Sequence, residues 1–474
     1  MSARSRHLLL LCAVVAVVTA ASALIVVSLP ESKQSTVSAA AGAVVGPTRP
    51  NVLLVVLDDA RYDALAYLPK TRSWLAWAAR RYTSARTTVP ACCPSRAALL
   101  TGRYPHNNGV LLQTDSASLD GDHTLMAYAK EAGYATAWAG KFLVGWPYGT
   151  PPPYADRSTV IKGGYGDYQA WVDGKPRTVS EYSTTFLGRQ LRSYLTGFEA
   201  DDSRPWLAVW APQAPHVDGG FTSLATPEAR HARTPVAPCA KPGEADRADK
   251  PPHVSWTAPD PAHAEALCES QVRALMSVDD QLDALFRQLK RTGEVGSTMI
   301  VITSDNGTHW GENGWSSAFY PYEPSVRVPL WVRWDGHVRA GADARLASLV
   351  DVLPTLLSTW QLEPTEPVDG RSLLSTATRS DYLTEYFYDG ASNGPFPGWA
   401  ALTNGKRVYI ETYGLTSAGE PRVFREYYRL DSDPGEQVNV LRDADPGNDP
   451  PRSELAALAA SLAAARTCIG TTCP

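Results

Sequence analysis

Basic residues are not in surplus in this 474-residue chain: 44 Lys and Arg face 49 Asp and Glu, for a net charge of −5. That balance excludes a general nucleic-acid binder, because neutralising a phosphate backbone requires a basic face. Cysteine is scarce too, at seven, and the spacings match no zinc site. No internal repeat is present, which sets solenoids and propellers aside. What remains is ordinary globular composition, 44% hydrophobic and 20% charged. The length suffices for one large domain or two, with a substantial core.

The first residues depart from that average. Arg4 and Arg6 precede an almost wholly apolar run from Leu8 to Leu29. Ala21-Ser22-Ala23 offers a small-residue cleavage site, while Leu24-Ile25-Val26-Val27 prolongs the run to a length that also suits an uncleaved anchor. Residues 1–29 therefore read as a signal peptide or signal anchor, and the Ser/Ala/Gly-rich residues 30–49 as a flexible linker. The expected location is secreted or cell-surface, with a membrane tether as the alternative to release. In such an oxidising compartment Cys239 with Cys268, and Cys468 with Cys473, are candidate disulfides, although spacing alone leaves the connectivity open.

The rest of the chain alternates two periodicities. Asn51 to Leu57 is a continuous β-branched, apolar run suited to a strand covered on both faces. Further strands are expected at Ala135 to Ala139, Trp206 to Ala211, Thr298 to Thr303 and Val328 to Trp334. Helices are expected around Thr71 to Arg80, Ser95 to Thr101 and Asp122 to Ala132. In Ala262 to Arg291, Leu267, Val272, Leu275, Val278, Leu282, Leu285 and Leu289 share one face, and Gly293 follows as a stop. This alternation predicts an α/β fold: a large, mostly parallel sheet with helices on both faces. Tyr148 to Lys175 and Pro212 to Pro261, rich in Pro, Gly and charge, read as long surface excursions. Ala400 to Thr412 and Arg422 to Leu430 alternate like antiparallel strands, with a last helix around Arg452 to Arg466. The expected division is a catalytic domain at 50–395 and a C-terminal subdomain, with a small antiparallel sheet and helix, at 396–474.

Two pairs of oxygen-bearing side chains sit where strands end. Asp58 and Asp59 follow the first strand, and Asp305-Asn306 follow the strand Thr298 to Thr303. Ligands of open α/β sheets bind beyond such carboxyl ends. Adjacent carboxylates repel unless a cation lies between them. Three carboxylates and an amide oxygen make a hard, all-oxygen donor set that suits Ca²⁺, and less readily Mg²⁺.

A third feature names a chemistry. Cys92-Cys93-Pro94-Ser95-Arg96, continued by Leu100-Thr101-Gly102-Arg103, resembles the modification motif of the sulfatase family in the alkaline phosphatase superfamily. Leu57-Asp58-Asp59, Gly140-Lys141, Ala214-Pro215-His216, Asp305-Asn306-Gly307 and Arg327-Val328-Pro329 follow in that family's order, and Tyr428 to Glu436 resembles its C-terminal strand and turn. The double cysteine, Tyr104-Pro105-His106-Asn107 and Gly140-Lys141-Phe142-Leu143 are nearest to N-acetylglucosamine-6-sulfatase and extracellular endosulfatase-like members.

The resemblance implies a sulfuric ester hydrolase acting on a sulfated small molecule or glycan. It implies that a formylglycine-generating enzyme oxidises Cys92 to formylglycine, whose hydrated aldehyde is the nucleophile. An ordinary Ser or Cys lacks the second hydroxyl that would expel sulfate from the covalent intermediate. By the same resemblance Asp58, Asp59, Asp305, Asn306 and residue 92 hold the cation, Arg96 stabilises the formylglycine hydroxyls, and Lys141 contacts the sulfate. His216 serves the leaving-group oxygen. His309 is a candidate for substrate contact, and His106 for either pocket lining or a turn. One departure stands out. Family members place a lysine about four residues before a Tyr-Glu or Tyr-Asp pair, and ahead of Tyr322-Glu323 that place is Ala318. Two other readings stay open: a phosphonate monoester or phosphodiester hydrolase of the same superfamily, and a catalytically impaired carbohydrate-binding homologue.

Overall fold

A computed structural model describes residues 49–220, 222–244, 246–255, 258, 260–388, 396–417 and 420–474. The expected signal and linker segments thus lie outside the described residues, apart from Arg49. Among the described residues no helix is long and apolar enough to cross a membrane.

The strands are β1 (Asn51–Leu57), β2 (Ala79–Arg86), β3 (Ala135–Gly140), β4 (Arg157–Ile161), β5 (Tyr168–Val172), β6 (Lys175–Val179), β7 (Trp206–Ala211), β8 (Thr298–Ser304), β9 (Leu330–Arg333), β10 (Gly341–Ser348), β11 (Tyr382–Tyr386), β12 (Trp399–Thr403), β13 (Arg407–Ser417) and β14 (Glu420–Arg429). The first ten form one sheet in the order β10-β2-β9-β8-β1-β7-β3-β4-β5-β6, and the last four form a small antiparallel sheet. Its centre, β8-β1-β7-β3-β4, is parallel, as the alternating pattern predicts. The flanks are not: β9 runs antiparallel between β2 and β8, and β5 and β6 close the other edge antiparallel. The sheet is therefore mixed.

The helices are α1 (Pro69–Leu75), α2 (Cys92–Thr101), α3 (Pro105–Asn108), α4 (Leu125–Glu131), α5 (Ser183–Glu199), α6 (Pro261–Thr292), α7 (Glu323–Val326), α8 (Val352–Trp360) and α9 (Arg452–Ala465). Period-2 alternation along β1 explains why both faces of the large sheet are covered. Val52, Leu54 and Val56 enter a core built with α2, α4 and α8. Leu53, Val55 and Leu57 enter another, built with α1, α5 and α6. On the small sheet, Leu458 and Leu462 of α9 pack with Leu383, Leu402 and Tyr409 beside the Cys468–Cys473 disulfide.

Three expectations change. Tyr148 to Lys175 is not a plain excursion: β4, β5 and the start of β6 extend the sheet there, their short alternation masked by Pro and Gly between them. The helix expected over Thr71 to Arg80 stops at Leu75, and Ala79 already begins β2. The small sheet also takes β11 from ahead of residue 396. By contrast, the described part of Pro212 to Pro261 holds no regular element beyond a short 3-10 turn at Pro252–Ser255, and the Cys239–Cys268 disulfide ties it to α6.

Helix α1 shows how distant sequence completes local structure. It is seven residues long, begins with Pro69 and has no side-chain cap of its own. Buried Asp279 of α6 accepts the Lys70 and Thr71 backbone N–H groups instead, at 3.0 and 2.7 Å. Asp279→Ala strands both donors and is expected to cost about 1–2 kcal/mol in a urea unfolding experiment. An unchanged midpoint would show that α1 does not depend on this contact.

Candidate active site

Parallel pairing of β1 with β8 sets Leu57 opposite Ser304. The residues that follow, Asp58-Asp59 and Asp305-Asn306, therefore emerge side by side. The Asp59 backbone N–H donates to Asp305 Oδ1 at 3.1 Å, and Asn306 Nδ2 donates to Asp59 Oδ1 at 2.6 Å. Asp59 is held at φ 63, a left-handed conformation that Asp tolerates better than most residues. Asp58, Asp305 and Asn306 are fully buried.

Cys92 opens α2 and faces this group, its Sγ 3.5 Å from Asp58 Oδ1. Arg96 lies one turn later on the same helix face. Its Nε donates to Asp305 Oδ2 at 2.8 Å and its Nη1 to the Lys141 carbonyl at 2.9 Å; Nη2 stands 3.7 Å from Asp58 and makes no hydrogen bond. Ser95 anchors the helix by donating to the Asp305 carbonyl at 2.5 Å.

Lys141 follows β3, and its ammonium donates to Asp58 Oδ2 at 2.5 Å. The preceding residue has to be glycine. Gly140 adopts φ 136, and a Cβ there would fall 1.8 Å from the Ala211 carbonyl oxygen. That close approach lets the Lys141 N–H donate to Ala211 O at 2.8 Å. His216 follows β7, past a cis Ala214–Pro215 bond. Its Nε2 lies 3.6 Å from Asp59 Oδ2, and its Nδ1 bonds the Val217 carbonyl at 2.6 Å.

Electrostatics follow from crowding acids away from water. Burial opposes ionisation of Asp58, yet Lys141, His216 and Arg96 prevail and hold its carboxyl well below the usual range. Asp305 is pushed up to about 7 by burial and the Asp58 charge, against Arg96 and Lys141. Burial likewise raises Asp59. Burial drives the Cys92 thiol well up, and that of neighbouring Cys93 up to about 12. Unmodified, neither is a poised thiolate nucleophile.

The donor set fits a cation. Ligand atoms of Asp58, Asp59, Cys92 and His216 lie within 4.8 Å of one another. Asn306 Oδ1 is buried without a hydrogen-bond partner, while the same amide's nitrogen is bonded. An orphaned acceptor beside mutually repelling carboxylates is what a hard cation would satisfy.

Two cavities meet at Cys92. One, of about 150 Å³, is lined by Asp59, Asn306, His216, Ala318 and Phe319 among others. The second, of about 380 Å³, is lined by Lys141, Lys162, Gln213, His216 and Asp218. Gln113 lines both and accepts the Cys93 N–H at 2.8 Å. The structure thus gathers Asp58, Asp59, Cys92, Arg96, Lys141, His216, Asp305 and Asn306. It does not bring the other two histidines to the cavity walls. His309 is buried behind the site, bonded through Nδ1 to Ser317 O and Ser325 Oγ. His106 pairs with buried Glu385 at 2.6 Å and meets the Cys468 carbonyl, so it joins α3 to the C-terminal sheet. Gln113, Lys162 and Gln213 escaped sequence reasoning because loop residues carry no periodic signal.

Residues 50–361 match the family model described as Sulfatase, and 311–454 the one described as N-sulphoglucosamine sulphohydrolase, C-terminal. The chain is 28% identical over 471 residues to N-acetylglucosamine-6-sulfatase of Homo sapiens, covering 85% of this chain and 83% of that protein. It is 28% identical over 358 residues to the extracellular sulfatase SULF-1 homolog of Drosophila melanogaster, covering 69% of this chain and spanning only 31% of that protein. The fold resembles a protein solved in complex with its substrate D-glucosamine-2-N,6-O-disulfate, with TM-score 0.74 and 20% identity, covering 88% of this chain and 97% of the other. Phosphonate monoester hydrolase of Agrobacterium radiobacter has a TM-score of 0.67 and 22% identity, covering 88% and 96%.

The interior position of His309 has a measurable cost. Burial pushes its imidazole down to about 4 from an ordinary 6.5. Between those values the unfolded chain binds the proton and the folded chain does not, so stability falls as pH drops through this window. Urea unfolding between pH 5 and 6 is expected to show His309→Gln with a shallower pH dependence, by about 1.4 kcal/mol per pH unit. Parallel slopes would refute the assignment.

Proposed function

Because this chain belongs to the sulfatase family and is a sulfuric ester hydrolase, we propose that its substrate is a sulfate monoester on a carbohydrate and that Cys92, oxidised to formylglycine, supplies the nucleophile. The observation that carries this reading is the placement of Cys92: a helix start facing Asp58, at the junction of two cavities that both touch His216, one of them also walled by Lys141. The sugar follows from the relatives, whose names point to N-acetylglucosamine 6-sulfate. Export through residues 1–29 agrees with a relative described as extracellular.

Attack at sulfur demands an oxygen nucleophile, neutralisation of the sulfuryl oxygens and help for the departing alkoxide. The hydrated aldehyde at position 92 would supply one hydroxyl for attack and a second for expelling sulfate. Asp58, Asp59, Asp305, Asn306 and residue 92 would hold Ca²⁺, or less readily Mg²⁺, which supplies Lewis acidity toward a sulfuryl oxygen. The chain's own side chains do the rest. Arg96, fixed by Asp305 and the Lys141 carbonyl, keeps Nη2 available as a donor to the oxygen on residue 92. Lys141 uses one ammonium proton on Asp58 and has two for the sulfate. His216 is oriented by Nδ1–H donating to Val217 O, so that the imidazolium form carries a second proton on Nε2 to hand to the leaving oxygen.

A second reading is phosphonate monoester hydrolysis, the activity named for a protein of the same fold. Comparing aryl sulfate with aryl phosphonate ester turnover separates the two; faster phosphonate turnover would favour the second.

Peptide mass spectrometry across Thr88 to Arg96, on protein from a host with the modifying enzyme, should find formylglycine at position 92. Cys92→Ala should abolish turnover and Cys93→Ala should spare it; equal activities would reverse the assignment. Added calcium should raise the thermal midpoint, and Asp59→Asn should remove most of that rise. A calcium response unaltered in Asp59→Asn would place the cation elsewhere.

A further inference from the structure

The cavities meeting at Cys92 differ in charge. On the Ala318 and Phe319 side no Lys or Arg lines the wall among the described residues. On the other side stand Lys141 and Lys162. Lys141 is committed to Asp58, while Lys162 is exposed and forms no ion pair among the described residues. Asp218 lines the same cavity and accepts the Thr226 hydroxyl through Oδ2 at 2.9 Å, without forming an ion pair with Lys162.

Lys162 is also not on a loose loop. It directly follows β4, and Gly163 and Gly164 continue at φ 149 and 96. Buried Gln213 accepts the Gly164 N–H through Oε1 at 2.5 Å, and a Cβ on Gly163 would stand 3.1 Å from the same oxygen. The Gln213 carbonyl accepts the His216 N–H at 2.8 Å, and Tyr165 Oη donates to the His216 carbonyl at 2.5 Å. These three contacts hold the backbone that follows Lys162 against the histidine that serves the leaving group.

We propose that Lys162 is the binding cation of a subsite for a second sulfate group on the substrate, beside the ester that is cleaved. The proposal rests on the sulfate-ester reading above and adds the preferred substrate class, a disulfated sugar. Charge-assisted contacts of this kind discriminate, because the ammonium gains less from a neutral acceptor than from an anionic one. Its exposure makes the preference salt-dependent.

The test is calorimetric binding of glucosamine 2-N,6-O-disulfate and N-acetylglucosamine 6-sulfate to calcium-loaded Cys92→Ala protein, which cannot turn them over. The disulfate is expected to bind about tenfold more tightly at low salt. Lys162→Ala in that background should erase the preference, and Lys162→Arg should retain most of it. Equal affinities in the parent protein, or a preference that survives Lys162→Ala, would overturn the proposal. Turnover by protein with Cys92 intact is scored separately. A binding preference without any sulfate release would count against the hydrolytic reading and still support the subsite.

Discussion

Mutual repulsion among Asp58, Asp59 and Asp305 is the constraint on which the rest of this molecule depends. Three carboxylates crowded in a buried place cannot all stay ionised without nearby positive charge. Lys141 and Arg96 supply two units, both also buried and both held by the acids they offset. The opposed shifts of Asp58, held down, and Asp305, pushed up, record an incomplete balance. A divalent cation would complete it, and the idle Asn306 oxygen marks one place for its ligation.

The architecture serves that balance. Parallel strands deliver their following residues to one end of a sheet, so β1, β3, β7 and β8 each contribute a charged or titratable group there. Their contributions are Asp58 and Asp59, Lys141, His216, and Asp305 with Asn306. Helix α2 adds Cys92 and Arg96 on one face. Tight backbone contacts remove slack: Gly140 against Ala211, Ser95 against the Asp305 carbonyl, and Asp59 in a left-handed conformation. Such fixed geometry keeps charges close that would separate if the loops could relax.

Much of this was legible in the sequence, for a physical reason. β1 is apolar at nearly every position and β8 through its centre because both faces are covered, and the acids directly after such runs announce themselves. Helix α6 showed its long apolar face. The edge hairpin of β5 and β6 did not: edge strands are half exposed, short and interrupted by glycine. His106 and His309 illustrate a second limit. Their neighbours Glu385 and Ser325 are distant in sequence, so nothing local shows that each ring is engaged in structural contacts. Gln213 is the instructive omission. Its side chain and carbonyl join two loops 49 residues apart, a role without any local pattern.

Ala318 brings these threads together. With no lysine on that wall, the positive charge lining the substrate cavities comes from the opposite side, from Lys141 and beyond it Lys162. An anion entering such a site meets an asymmetric field. The end nearest the acids is held by groups committed to Asp58 and Asp305, whereas the outer end meets Lys162, which shares its cavity with Asp218 but forms no ion pair among the described residues. A singly charged ester satisfies only the inner half. A ligand with a second negative group engages both halves, and its added binding energy is realised away from the reacting sulfur. Remote binding of that kind can be spent on holding the ester in line with residue 92. Alanine at position 318 therefore need not mean a weaker enzyme; with Lys162 as proposed, recognition would rest less on the transferred group and more on the rest of the substrate.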